Sequence, residues 1–228
     1  MSNSESNETL TRMGPGAAMG RVFRQFWQPA LLSEELPVAD CPPVRVRLMG
    51  EDFVAFRDSS GKVGLLDAHC PHRLADLFFG RNEEGGLRCV YHGWKFSVAG
   101  EILDMPSEPQ GSPMRCNPNL RAKAYPVREA GGIIWAYLGP QESMPALPDM
   151  EFMSLPPQNV HVSKCLMKCN YLQALEGSID TAHLTFLHHS MAPMEKDVFA
   201  VGNLQEFGDA DGAPRFFCED TDLGMRIS

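Results

Sequence analysis

The chain has no apolar run approaching the roughly 18 residues of a membrane-spanning helix, and its opening stretch, MSNSESNETLTR, lacks the apolar core of a signal peptide. A cytoplasmic protein with no membrane partner is expected. Positive charge is scarce. Twenty Lys and Arg stand against 29 Asp and Glu, a formal net charge of -9, so the positive field that holds nucleic acid or an anionic membrane surface is missing. Seven cysteines, at 41, 70, 89, 116, 165, 169 and 218, are odd in number and irregularly spaced, which argues against a disulfide framework and leaves metal binding open. A dinucleotide loop is lacking as well: Gly14, Gly16 and Gly20 in GPGAAMG follow a polar stretch rather than a strand, and read as a turn. There is no internal repeat and no low-complexity tract. What is present is a 228-residue chain, 43% hydrophobic and 21% charged, with room for one large domain or two small ones.

Residues 1 to 12 read as a disordered tail, and Met19, Val22, Phe23, Phe26 and Trp27 follow the spacing of a short amphipathic helix, so 1–37 forms a polar tail and an N-terminal helix. From Val44 the texture turns to short strands. VRVRL alternates, FVAF and VGLL flank the turn RDSSGK, and GGIIWAYLG is a buried strand bounded by glycines. An antiparallel β domain is expected over 38–142, then a stiff proline-rich linker over 143–157. A second region, 158–228, opens with the strand candidate NVHVSKC; Asn170 and Gln173 then form a capping box for a helix through YLQALEGSIDTAHLTFLHH. The fold class is α+β.

The stretch CPHRLADLFFGRNEEGGLRCVYHGWKF sets a Cys beside a His twice, as Cys70-Pro71-His72 and as Cys89-Val90-Tyr91-His92. Zinc fingers and ribbons usually pair cysteines with cysteines and histidines with histidines in sequence. The mixed pairing suits a two-iron cluster, one iron taking Cys70 and Cys89 and the other His72 and His92. The residues between His72 and Cys89 suffice for a β excursion that returns the second loop beside the first. Pro71 fixes φ between two ligands, Gly93 allows a tight turn, and Tyr91, Trp94 and Phe96 are expected to screen the centre from water. A structural zinc site, or buried Cys and His with no metal, are the alternatives. His69 adjoins Cys70 but lies outside the pattern.

CPHR and CVYHGWKF resemble the Rieske [2Fe-2S] domain, and LTRMGPGAAMGRVFRQFWQPALL, DMPSEP, KAYPVREAGGIIWAYLGP and CNYLQALEGSIDTAHLTFLH extend the resemblance over most of 9–190. Together these segments are similar to the oxygenase (α) subunit of the Rieske non-haem iron ring-hydroxylating oxygenases, in the phthalate 4,5-dioxygenase and aromatic O-demethylase branch. The resemblance implies a Rieske [2Fe-2S] cluster, and a mononuclear Fe(II) that uses O2 to hydroxylate or O-demethylate an aromatic, carboxylated substrate. It also implies electrons from a separate NAD(P)H-dependent reductase or ferredoxin, and a trimer-type homo-oligomer.

In EGSIDTAHLTFLH, the spacing of Glu176, Asp180 and His183 puts them within about 60° of one another on a straight helix, while His188 falls about 140° beyond His183. His183 and His188 can share a metal only if the helix breaks or bulges between them. Two imidazoles beside acids suit a two-His, one-carboxylate iron; zinc, or an acidic surface helix with incidental histidines, also fits the segment. The resemblance assigns His183 and His188 as iron ligands, Asp180 as the bridge to His92 of the partner subunit, and Glu176 as a supporting acid. His189 matches no ligand position, and Cys165 and Cys169 have no suitably spaced His. The family's third ligand lies far downstream. Glu195, Asp197 and Glu206 are nearby acids with no motif, so the chain reads as an N-terminal half that carries the start of an α+β catalytic domain with an incomplete iron site. Two other classes stay open: a Rieske electron carrier without oxygen chemistry, and a zinc-stabilised binding module.

Overall fold

A computed structural model describes residues 4–180, 182–187, 213–222 and 224–227, which divide between two compact units, Met1–Cys165 and Leu166–Ser228. The first unit begins with α1 (Ser4–Thr11) and α2 (Ala18–Phe23). Its strands are β1 (Gln28–Leu32), β2 (Val44–Leu48), β3 (Glu51–Arg57), β4 (Val63–Asp67), β5 (Arg81–Glu83), β6 (Gly86–Arg88), β7 (Lys95–Phe96), β8 (Ile102–Asp104), β9 (Ala124–Tyr125), β10 (Val127–Ala130) and β11 (Ile133–Ala136). Every strand pairing is antiparallel, in sheets ordered β2-β3-β4-β9, β5-β6-β7-β8 and β1-β11-β10.

The sheet built on β3 is apolar on both faces, and the two-residue period sorts its side chains. Val54, Phe56 and Leu66 join Leu77, Leu87, Trp94, Phe96, Cys70 and Cys89 in one core. Phe53, Ala55 and Leu65 join Leu31, Val46, Ile134 and Ala136 in another. Each large side chain so buried contributes roughly 1.5–3 kcal/mol, so two cores share one sheet and hold the three sheets together. The β5–β6 hairpin turns through Glu84 (φ 49°) and Gly85 (φ 80°), the paired left-handed conformations that match strand twist in a tight hairpin. It is the β excursion expected between His72 and Cys89.

The proline-rich segment belongs to the first unit and packs on its strands: Met144, Leu147, Phe152 and Met153 lie on Trp27, Trp135 and Tyr137, and the Trp27 indole N–H donates to the Pro145 carbonyl at 2.9 Å.

Three local expectations are corrected. The tail is helical over Ser4–Thr11, where Arg12 pairs with Glu8 and the Thr9 and Thr11 hydroxyls donate to carbonyls four residues back. The amphipathic helix stops at Phe23, since the Gln28 side chain takes the Phe23 and Phe26 carbonyls; Trp27 is buried, but Val22 and Phe26 are exposed. NVHVSKC forms no strand, since among the described residues none pairs with it.

In the second unit Asn170 caps α3 (Tyr171–Ile179), its side chain accepting from the Leu172 N–H at 3.0 Å, and α4 (Ala182–Leu187) follows. β12 (Cys218–Thr221) and β13 (Gly224–Ile227) make an antiparallel pair. Together the units are α+β.

Candidate metal centre

Cys70 and Cys89 stand at the base of two loops with the same backbone design. The Cys70 N–H donates to the Ala75 carbonyl at 2.8 Å and the Cys70 carbonyl accepts from Leu74 at 2.9 Å. In the second loop the Cys89 N–H donates to Trp94 at 2.8 Å and its carbonyl accepts from Gly93 at 3.0 Å. Each loop reverses through a left-handed residue four places after its cysteine, Leu74 at φ 56° and Gly93 at φ 77°. At Gly93 a Cβ would also lie 2.7 Å from Pro106, so glycine is required twice over.

These loops place the two cysteines deep and the two histidines near the rim. Cys70 and Cys89 are 1% and 2% exposed and lie in the same core, close enough for each thiol to influence the other. Burial, with the neighbouring thiol adding to it, pushes Cys70 up to about 11, while the backbone N–H groups of His72 and Arg73 act the other way. The His72 and His92 rings meet at 4.6 Å, and His72 stacks flat on Trp94 at 4.3 Å and 2°. Burial first, then His92 and Arg73, lower the His72 pKa and favour the neutral imidazole that can bind a metal. Trp94 is fixed from its far edge, its indole N–H donating to Ser107 Oγ at 3.2 Å. The DMPSEP loop thus closes over the second loop through Pro106 and Ser107.

Among the described residues, no three His, Cys, Asp or Glu side chains converge on one metal position. The four are arranged as a thiol pair and an imidazole pair. A single zinc needs its donors around one point, whereas a two-iron cluster takes two from the protein at each iron. The donor set fits a [2Fe-2S] cluster: two sulfurs for one iron, two imidazoles for the other, and a glycine where a side chain would crowd the covering loop. Trp94 and Phe96 screen the base as expected, but Tyr91 does not: it is 63% exposed and lies against His92 at 3.9 Å on the solvent side. After β6 the chain leaves the core at Cys89 and returns to it at Trp94, and Val90 and Tyr91 fall on the exposed crest between.

Arg88 was not legible as part of this site. Its guanidinium donates to Glu83 at 2.6 Å and, through one nitrogen, to Asp104 and to the Gly93 carbonyl, both at 2.7 Å. The signal lay in RNEEGGLRC, where a hairpin returns an arginine beside the acids that precede the turn.

In the second unit the break falls at Asp180, upstream of the point where joining His183 to His188 required one. Asp180 is extended (φ -76°, ψ 117°), accepts the Ala182 N–H at 3.0 Å and meets His183 Nδ1 at 3.1 Å. Glu176 and Asp180 line an apolar hollow of about 340 Å3 with Ile179, Phe216, Cys218 and Ile227. His188, His189, Glu195, Asp197 and Glu206 lie outside the described residues.

Residues 26–126 match the Rieske [2Fe-2S] domain family, and residues 136–228 match the family described as LigXa C-terminal domain like. The 3-chlorobenzoate-3,4-dioxygenase oxygenase subunit of Comamonas testosteroni is 44% identical over 98% of this chain and 50% of its own length. The phthalate 4,5-dioxygenase oxygenase subunit of Pseudomonas putida is 42% identical over 100% of this chain and 52% of its own. This chain carries a Rieske [2Fe-2S] domain. A dicamba monooxygenase structure bound to 3,6-dichlorosalicylic acid aligns with a TM-score of 0.60 and 26% identity, over 72% of this chain and 47% of that one. The Rieske chain spans about half the length of the curated relatives it matches. Its Rieske domain carries a [2Fe-2S] cluster as cofactor. Among its described residues, no helix is long and apolar enough to cross a membrane.

Proposed function

We propose that the chain is the electron-receiving portion of a Rieske oxygenase component that hydroxylates or O-demethylates an aromatic, carboxylated compound. Cys70, Cys89, His72 and His92 hold the [2Fe-2S] cluster. The observation that carries this is the pairing of two buried thiols with two partly exposed imidazoles whose rings meet in one domain. When bound, such a cluster accepts and passes on one electron at a potential raised by its two neutral ligands.

The chain's own residues divide the work. The buried thiols exclude water from one side, and the His72–Trp94 stack fixes one ring on the exposed side, where an electron enters from a separate NAD(P)H-dependent reductase or ferredoxin. In the second unit His183 and His188 are assigned to a mononuclear Fe(II). Asp180, bonded to His183 Nδ1, fixes that imidazole's tautomer and serves as the bridge to His92 of the partner subunit in a trimer-type oligomer. The domains run 38–142 for the Rieske portion, 143–157 for the linker and 158–228 for the opening of the catalytic region. The compartment is the cytoplasm. Substrate class and reaction come from the relatives, named for chlorobenzoate, phthalate and dehydrodivanillate.

The test is a redox titration followed by EPR. His72→Cys and His92→Cys each add a thiolate's negative charge, so the midpoint potential of the intact cluster is expected to fall in both. An unchanged potential with the cluster retained rejects the ligand assignment.

A further inference from the structure

Two arginines of the first unit are buried to nearly the same degree and make similar bonds, yet they serve different places. Arg57 and Arg88 side chains are 14% and 12% exposed. Arg57 donates to the Leu36 and Gly61 carbonyls and clasps Glu129 through two nitrogens at 2.8 and 2.9 Å, joining β3 to β10 beside the core on which Leu31 and Ile134 lie. Arg88 instead reaches forward over the loop that follows it. One nitrogen bonds both Asp104 on β8 and the carbonyl of Gly93, the residue next to His92, while Nε is held by Glu83 on β5. The carboxylates fix the guanidinium, and the guanidinium fixes the Gly93 carbonyl at the reversal of the loop.

We infer that Arg88 is a positioning residue for the cluster: by holding the Gly93 carbonyl from a guanidinium itself anchored on Glu83 and Asp104, it keeps the second ligand loop closed on the metal. This rests on the four-ligand reading above. Lysine in its place keeps the charge, but a single ammonium on a flexible stem cannot reproduce a planar fork reaching three acceptors. The loop would then open more often, exposing the cluster to capture.

The experiment measures loss of iron from the purified, cluster-loaded chain to excess chelator, with thermal midpoint and redox potential recorded on the same samples. Arg88→Lys is expected to release iron about tenfold faster than wild type, the effect of losing one hydrogen bond to a charged group, with little change in potential because the charge remains. Arg88→Met is expected to release iron faster and also to lower the potential, since the carboxylates of Glu83 and Asp104 then stand beside the ligand loop without the cation that pairs with them. Arg57→Lys is the control for a merely structural role. It should lower the thermal midpoint comparably while iron release stays at the wild-type rate. If Arg88→Lys releases iron no faster than wild type, or if Arg57→Lys accelerates release equally, the assignment is overturned. Should Arg88→Lys fail to fold, Asp104→Asn keeps Arg88 but removes one anchor. A smaller acceleration there supports the assignment, and a wild-type rate overturns it. A wild-type chain that purifies without any cluster rejects the four-ligand reading instead.

Discussion

The Cys70/His72/Cys89/His92 set and the Asp180/His183 pair differ in how the chain builds them. The first rests on two short loops whose own backbone bonds close them, between strands that share a buried core. The second rests on the junction of two helices, where Asp180 both ends one turn and meets His183 from the next, with Leu175, Ile179, Phe186 and Leu187 exposed on the helices around it. A site closed by local hydrogen bonds and its own core is specified by a short stretch of sequence. A site on helices with exposed apolar faces is specified by whatever else packs there.

The largest expected effect breaks the comparison at the cluster. Cys89→Ser or Cys70→Ser puts a poor iron ligand at the buried base, so iron and sulfide should fall from about two each per chain to near none. Asp180→Asn should leave both counts unchanged. Equal losses in the two kinds of variant would mean that the sites are not independent.

Packing gives the next largest effect. Trp94 is fully buried among Cys70, Cys89 and Phe96, so Trp94→Ala should destabilise the chain by roughly 3–5 kcal/mol in denaturant unfolding. Leu175, half exposed on α3, should shift stability by no more than about 0.5 kcal/mol when changed to Ala. A large loss at Leu175 would show that α3 is covered in solution.

Acid sensitivity sharpens the contrast on the side of the β domain. Arg57 holds the Glu129 carboxyl below its ordinary value, Arg88 does so for Asp104, and Arg81 followed by Arg88 does so for Glu83. In each case the unfolded chain takes up a proton more readily than the folded one. The stability these groups contribute is therefore present above the ordinary carboxylate values of 4.5 for Glu and 3.8 for Asp, and is lost as pH falls through the depressed folded values. Glu129→Gln should flatten the dependence of thermal midpoint on pH in that range, and an unchanged slope would remove Glu129 from the account.

The strands were legible because VRVRL alternates, and because two buried faces turn β3 and β4 into short unbroken apolar runs, FVAF and VGLL, around a turn. The cluster set was legible for the same local reason: each Cys and His pair lies within one loop. Arg88 was not, because its meaning depends on Asp104 and Gly93 reaching it across neighbouring strands. The helix break was hidden too. A straight helix through Asp180 satisfies the 3.6-residue pattern, and only the side-chain bond from Asp180 to the Ala182 N–H marks where a new turn starts.

That break leads to the smallest effect. α3 is short, opens on Asn170 and closes where the Asp180 N–H donates to the Glu176 carbonyl at 3.1 Å. Short helices are marginal on propensity alone, so the cap carries a large share of their local stability. Asn170→Ala should cost about 1 kcal/mol, and it should do so inside α3 rather than across the chain. Hydrogen exchange reads this directly: amides from Ala174 to Asp180 should exchange about fivefold faster, while those of Cys70 and Cys89, tied into their loops, keep wild-type protection. Faster exchange at the cysteine loops as well would mean that α3 and the cluster domain open as one unit, and that the two sites are built less separately than their local bonding indicates.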